Sequence, residues 1–395
     1  MKQLERMCRA VLERNWREGT CEGAEYAYTA PSATTYPWQW YWDSCFHAIA
    51  WARFDRSRAR RELESLLAAA RDGFIGHTIF WTGAVTGSRR FYYNLPERTS
   101  GMTATIQPPL LAWSWSRVVG DPRTEPRIAR HHEWLRANRA LGDDGLLWIV
   151  QPDESGMDAL PKFDHVWGSR AQGLPYFPLL VRRNRGLAWD ARRIEPRVCE
   201  VLTNTIWCLS ELALGRPSLT PALIDELWDE HAGRFVDAEV GPRVHLPAAE
   251  RPLTWETLAP LVLPDLPDEI AARLVDLYRE RFARWVPVPA VPPDDPAHDA
   301  RERHLGLRRH WRGPSWINSA WLVSLGLRRL GLDREADEMS HRAAAVVEAH
   351  GLREYYDSRD GHGMSARGFA WSALVLEMIE PGSATSGGVG VSAAF

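Results

Sequence analysis

Three short segments gather side chains that can bind, and act on, a polyhydroxylated ligand. The first runs Tyr36-Pro37-Trp38-Gln39-Trp40-Tyr41-Trp42-Asp43-Ser44, five aromatic rings in seven residues followed by a carboxylate. Sugars present apolar C–H faces and polar rims, so rings flanked by Gln and Asp suit them. Asp43 reads equally as a helix N-cap in a packed aromatic turn. The second segment, Gln151-Pro152-Asp153-Glu154-Ser155-Gly156-Met157-Asp158, holds three carboxylates in six residues. Mutual repulsion is one way to keep one of them protonated; an acidic surface loop is the plain alternative. The third, Glu354-Tyr355-Tyr356-Asp357, stands ahead of Gly361, Gly363 and Trp371-Ser372. It reads as a second acid beside aromatics or as a solvated turn. Lesser candidates are His77 in GFIGHTIFW, Gln107 in TIQPPLL, and Arg312, Trp316 and Asn318 in HWRGPSWIN. Alone, His77 is more commonly a hydrogen-bonded core histidine than a catalyst.

These side chains are scattered along the chain, so the elements between them must bring them together. Helical spacing dominates. Leu4, Met7, Val11 and Leu12 mark a first helix; others are expected over 43–54, 57–71, 108–118, 126–141, 198–214, 220–235, 268–285, 315–330, 333–350 and 367–379. The apolar helices (43–54, 108–118, 198–214, 315–328, 367–379) alternate with amphipathic ones. A helix apolar all round is buried, and one with a stripe covers it. The alternation predicts an all-α fold of two concentric layers, an α/α toroid of six hairpins with five clear pairs and one ambiguous pair. GLLWIV (145–150) and 243–246 are readable as short strands or extended loops. The links 21–41, 80–105, 143–175 and 286–314 are long, and long ordered loops are usually functional. Residues 1–380 are expected to form one catalytic domain and 381–395, rich in Gly, Ser and Ala, a disordered tail.

Composition narrows the classes. The chain has 395 residues, 45% apolar and 25% charged, as in a globular protein. A formal net charge of −3 argues against a nucleic-acid partner. No apolar run is long enough for a membrane span. The amphipathic N-terminus lacks a signal-peptide core, and the five cysteines (Cys8, Cys21, Cys45, Cys199, Cys208) show no paired or metal-site spacing. The expectation is a cytoplasmic protein with free thiols and neither metal nor cofactor. The 20 tryptophans exceed what core filling needs. Trp38, Trp40, Trp42, Trp81, Trp148, Trp167, Trp311 and Trp316 are expected at a sugar-binding rim, and Trp134, Trp228 and Trp285 in ordinary packing.

Taken in order, WYWDSCFHA, GFIGH, IQPP, ESGMD, RGPSWIN and EYYDSRDG followed by FAWSA resemble glycoside hydrolase family 63 over about residues 36–380. The likeness is strongest to its short bacterial members, the mannosylglycerate and glucosylglycerate hydrolases, and weaker to trehalases and debranching α-glucosidases. The resemblance implies an (α/α)6 barrel and an inverting hydrolase of a small α-glycoside. It assigns Asp158 as general acid and Glu354 as general base. Such a pair sits about 6.5–9.5 Å apart, with the attacking water between. It also implies sugar contacts from Tyr36, Trp40, Trp42, Asp43, His77, Gln107, Arg312 and Trp316. Gly76 departs from the family's proline, Ala159-Leu160 stand where polar residues are common, and the 82–103 loop is hard to align. That loop carries Arg89, Arg90, Tyr92 and Tyr93, which suit a carboxylate such as glycerate and equally an ordinary surface. The alternatives are a hydrolase of neutral oligosaccharides, a sugar epimerase or isomerase, and a non-catalytic sugar-binding protein.

Overall fold

The computed structural model describes residues 2–82, 101–168, 191–304, 307–308 and 310–380. The loop arginines Arg89 and Arg90, with Tyr92 and Tyr93, lie outside the described residues, as does the tail 381–395.

The chain forms six outer-then-inner hairpins. The outer helices are α1 (Lys2–Asn15), α3 (Arg56–Ala69), α5 (Pro126–Arg139), α7 (Thr220–Leu227), α8 (Asp268–Leu277) and α10 (Asp333–His350). Each is followed by an inner element: α2 (Tyr41–Trp51), α4 (Leu111–Val118), α6 (Val201–Ala213), the 3-10 segment Trp255–Val262, α9 (Ile317–Arg329), and the 3-10 turn Ala370–Leu374 leading into α11 (Val375–Ile379). The inner elements pack each against the next, and Ala370–Leu374 packs back against α2. The ring is therefore closed, an (α/α)6 barrel. Asn15 ties the closure: its Nδ2 donates to the carbonyls of Gly368 at 2.9 Å and Pro31 at 3.3 Å.

The two layers follow from the residues. Every residue of α2 is buried. In α10 only Ala336, Met339, Ser340, Ala343, Val346 and Val347 are buried, one stripe at helical spacing. Each large side chain taken into the shared core contributes about 1.5–3 kcal/mol.

Several boundaries differ from the sequence reading. The fourth inner element, Trp255–Val262, has no counterpart among the expected helices, because it is only eight residues long and carries Pro260, which breaks the α-helical ladder. The helix opening at Thr220 stops at Leu227; Trp228–Asp229 then pairs with Arg234–Phe235 as a small hairpin. The helix from Asp268 ends at Leu277 and continues as one wide turn through Phe282. The stretch read as a helix from Arg367 begins instead as a strand, Gly363–Arg367 (β2), antiparallel to Arg353–Tyr356 (β1). Trp148–Ile149 is a strand, paired with Arg197–Cys199. Residues 243–246 are not. Arg243 and Val244 donate their N–H groups to the carbonyls of Val166 and His165. Among the described residues, no helix is long and apolar enough to cross a membrane.

Candidate active site

A cavity of about 420 Å³ opens where the long links meet one end of the ring. Tyr36, Trp40, Trp42, Asp43, His77 and Gln107 line it, together with Asp158, Trp316 and Glu354. Nine of the ten residues expected at the site are thus on one wall system. Arg312 is the exception. Its guanidinium is held by both oxygens of Asp164, at 3.0 and 2.5 Å, and by the Ala159 carbonyl at 3.2 Å. It clamps the chain just after Asp158 and does not face the cavity.

The first wall is the start of α2. Trp40 is the extended residue before the helix and makes no side-chain cap. The cap comes from Gln107, 65 positions away, whose Oε1 accepts the Trp42 N–H at 3.0 Å. The N-cap reading of Asp43 is therefore not what forms; Asp43 lies in the first turn and its carboxyl lines the cavity. Burial pushes that carboxyl up to about 7; His47 and His77 draw it down, while Glu354 raises it further.

The acid-rich segment divides its three carboxylates among three environments. Glu154 is buried and bidentate to Arg139 at 2.6 and 2.7 Å, and accepts the N–H groups of Ile106 and Val150. It is a structural anchor, so repulsion within a trio is not what the fold builds. Asp153 faces the cavity, accepts from Gln151 at 2.7 Å, and lies 3.6 Å from His77 Nδ1. Asp158 lies at the cavity edge with its side chain about one-third exposed, 3.4 Å from His310 Nε2. Its position is fixed on both sides. Met157 accepts the Trp255 indole Nε1–H through Sδ at 3.2 Å. Lys162, buried four residues later, meets Glu200, Asp237 and Glu256 at 2.6, 2.9 and 3.0 Å.

Glu354 projects from β1 opposite a bulge in β2. Arg353 pairs with Arg367 and Tyr355 with Met364, so two residues, Ser365 and Ala366, face one. A bulge re-aims the side chain opposite it. The Glu354 carboxylate accepts from Tyr36 Oη on Oε1 at 2.9 Å, and on Oε2 from Ser365 Oγ at 2.6 Å and the Ala366 N–H at 3.2 Å.

The tryptophans sort differently from the expected rim. Trp40, Trp42, Trp311, Trp316 and Trp371 line the cavity. Trp311 and Trp316 stack at 3.8 Å with planes 3° apart. Trp81, Trp148 and Trp167 are buried in packing instead; the Trp81 Nε1 donates to Gln39 at 2.5 Å. His310 and Trp371 also line the cavity, although the sequence reading assigns neither as a sugar contact. Their common signal is that each lies within a quoted block, HWRGPSWIN for His310 and FAWSA for Trp371. Gly76, the departure from the usual proline, has a local cause: a β-carbon there would lie 2.4 Å from the Thr103 carbonyl oxygen.

The family model "Mannosylglycerate hydrolase MGH1-like glycoside hydrolase domain" matches residues 36–372. The chain is 29% identical to the mannosylglycerate hydrolase of Thermus thermophilus, over 92% of this chain and 97% of that one. It is 25% identical to the glucosylglycerate hydrolase of Mycolicibacterium hassiacum, over 88% and 93%. The crystal structure of a family 63 mannosylglycerate hydrolase from Thermus thermophilus, in complex with Tris and D-glycerate, superposes with a TM-score of 0.74 at 27% identity. That match covers 95% of this chain and 99% of the other.

Proposed function

The chain belongs to the mannosylglycerate hydrolase MGH1-like glycoside hydrolase family, and on that footing we propose that it hydrolyses a small α-glycoside of glycerate, mannosylglycerate or glucosylglycerate, with inversion at the anomeric carbon. That it is a glycoside hydrolase follows from the family; substrate, stereochemistry and residue roles are the proposal. One observation carries it: Asp158 and Glu354, from distant parts of the chain, line the same tryptophan-walled cavity.

Asp158 is the general acid, giving its proton to the glycosidic oxygen as the bond to the anomeric carbon lengthens. Glu354 is the general base. Its three donors suit an acceptor-only carboxylate, which takes a proton from the water attacking the opposite face of the sugar. Trp40, Trp42 and Trp316 offer rings to the apolar sugar face. Asp43, His77 and Asp153 offer polar groups to its hydroxyls. Buried polar groups left unpaired by the wrong sugar penalise it strongly, which is the basis for selectivity at this wall.

The test is hydrolysis of mannosylglycerate, glucosylglycerate, trehalose and maltose, with the product anomer followed by NMR. Asp158→Asn and Glu354→Gln are each expected to lower kcat by roughly 10²–10⁴-fold. A first-formed α-anomer overturns inversion. A variant with near wild-type kcat overturns the role given to that residue. Trehalose or maltose outrunning both glycerate glycosides overturns the substrate.

A further inference from the structure

The bulge beside Glu354 breaks a rule of backbone chemistry. Where the first residue of a bulge takes the left-handed conformation, glycine normally fills it because it has no β-carbon. Here that residue is Ser365, with φ of +54°. Serine is strained there, and residues held in this region persist only where the surroundings over-determine them. The surroundings do so. The Ser365 N–H donates to Glu302 Oε1 at 2.5 Å, and its hydroxyl donates to Glu354 Oε2 at 2.6 Å.

The two oxygens of Glu354 are unequally used. Oε2 receives both Ser365 Oγ and the Ala366 N–H, which fills its two lone-pair directions. Among the described residues Oε1 receives only Tyr36, itself a cavity-wall residue. Among the described residues one acceptor direction therefore remains, on the oxygen that accepts from the cavity-lining Tyr36.

We infer that Ser365 is a positioning residue for Glu354: its hydroxyl occupies Oε2, locks the carboxylate plane, and leaves Oε1 as the oxygen that receives the proton of the attacking water. This rests on Glu354 being the base. Ser365 touches neither substrate nor water; it acts through the carboxylate, and the strained backbone carries the hydroxyl to the one place from which it reaches Oε2. Glycine would fit the bulge better and leave the carboxylate held only by Tyr36 and the Ala366 N–H among the described residues.

Three variants test it on the better of the two glycerate glycosides, with kcat, KM and thermal midpoint measured for each. Ser365→Ala keeps the backbone demand and removes the hydroxyl. Ser365→Gly removes both. Both are expected to lower kcat by roughly 10- to 100-fold, the scale of a misaligned reactive group, with KM within twofold of wild type. Ser365→Gly is expected to be the more thermally stable of the two and equally slow. Glu354→Gln is the control. If it retains activity, the base assignment fails and the inference with it. If it is inactive while either serine variant keeps wild-type kcat, the inference about Ser365 alone is overturned. A fall in catalysis that appears wholly in KM overturns it as well.

Discussion

Burial has pushed the Asp43 carboxyl from 3.8 up to about 7, and that shift must appear in the stability of the fold. The unfolded chain releases this proton near pH 4; the folded chain holds it until about pH 7. Between those values the native state binds more protons than the unfolded one, so stability falls as pH rises through the window and is level above it. The full effect is up to about 4 kcal/mol. Asp43→Asn is therefore expected to raise the thermal midpoint at pH 8 and to leave it unchanged at pH 4, while activity falls. An equal midpoint shift at both values would remove the ionisation argument. Asp43 was visible in the sequence beside its rings, and the family resemblance picked out Asp158 and Glu354. What was hidden is what turns each one. Gln107 supplies the cap that Asp43 does not, from 65 positions away, and no local pattern records that. Arg312 was expected at the sugar and holds Asp164 instead; an arginine in a motif reads the same whichever way it points.

The acidic loop and the start of α2 behave as one fitted pair. Gly156 has φ of +74°, and a β-carbon there would lie 2.6 Å from the Trp42 ring. Gly156→Ala meets both backbone strain and overpacking, so it is expected to cost about 2 kcal/mol or more in urea unfolding. KM should rise with it, because Trp42 must move; an unchanged KM would show that Trp42 is not a sugar contact. Lys162 anchors the same loop among three buried carboxylates. Removing one partner of a buried ionic cluster costs about 3–5 kcal/mol, so Lys162→Met should unfold at markedly lower urea. The existence and order of the helices were legible because their apolar periods are long. Their ends were not. The hairpin after Leu227 and the strand Gly363–Arg367 depend on pairing with other segments, which a helical period does not register.

At the scale of the whole molecule, the six-hairpin ring was readable from alternation alone, down to the pair that stayed ambiguous. That pair contains Trp255–Val262, where proline and brevity erase the period. Closure depends on contacts between the two ends of the described chain. Asn15→Ala would leave the carbonyls of Gly368 and Pro31 without their buried donor, at a cost of about 1–3 kcal/mol. If the ring melts as a unit, tryptophan fluorescence, far-UV dichroism and activity will be lost at one midpoint in that variant as in the wild type; separated midpoints would show that closure is a loose final step.

The bond from Tyr36 to Glu354 spans 318 positions. A ribosome adding about 5–20 residues per second takes roughly 15–65 s to cover that distance. Throughout that interval the first wall of the cavity exists in a nascent chain without the partner that completes it, its cluster of indole and phenol rings open to water. During that interval the early-made rings lack the segment that later packs beside them, and its arrival ends their exposure.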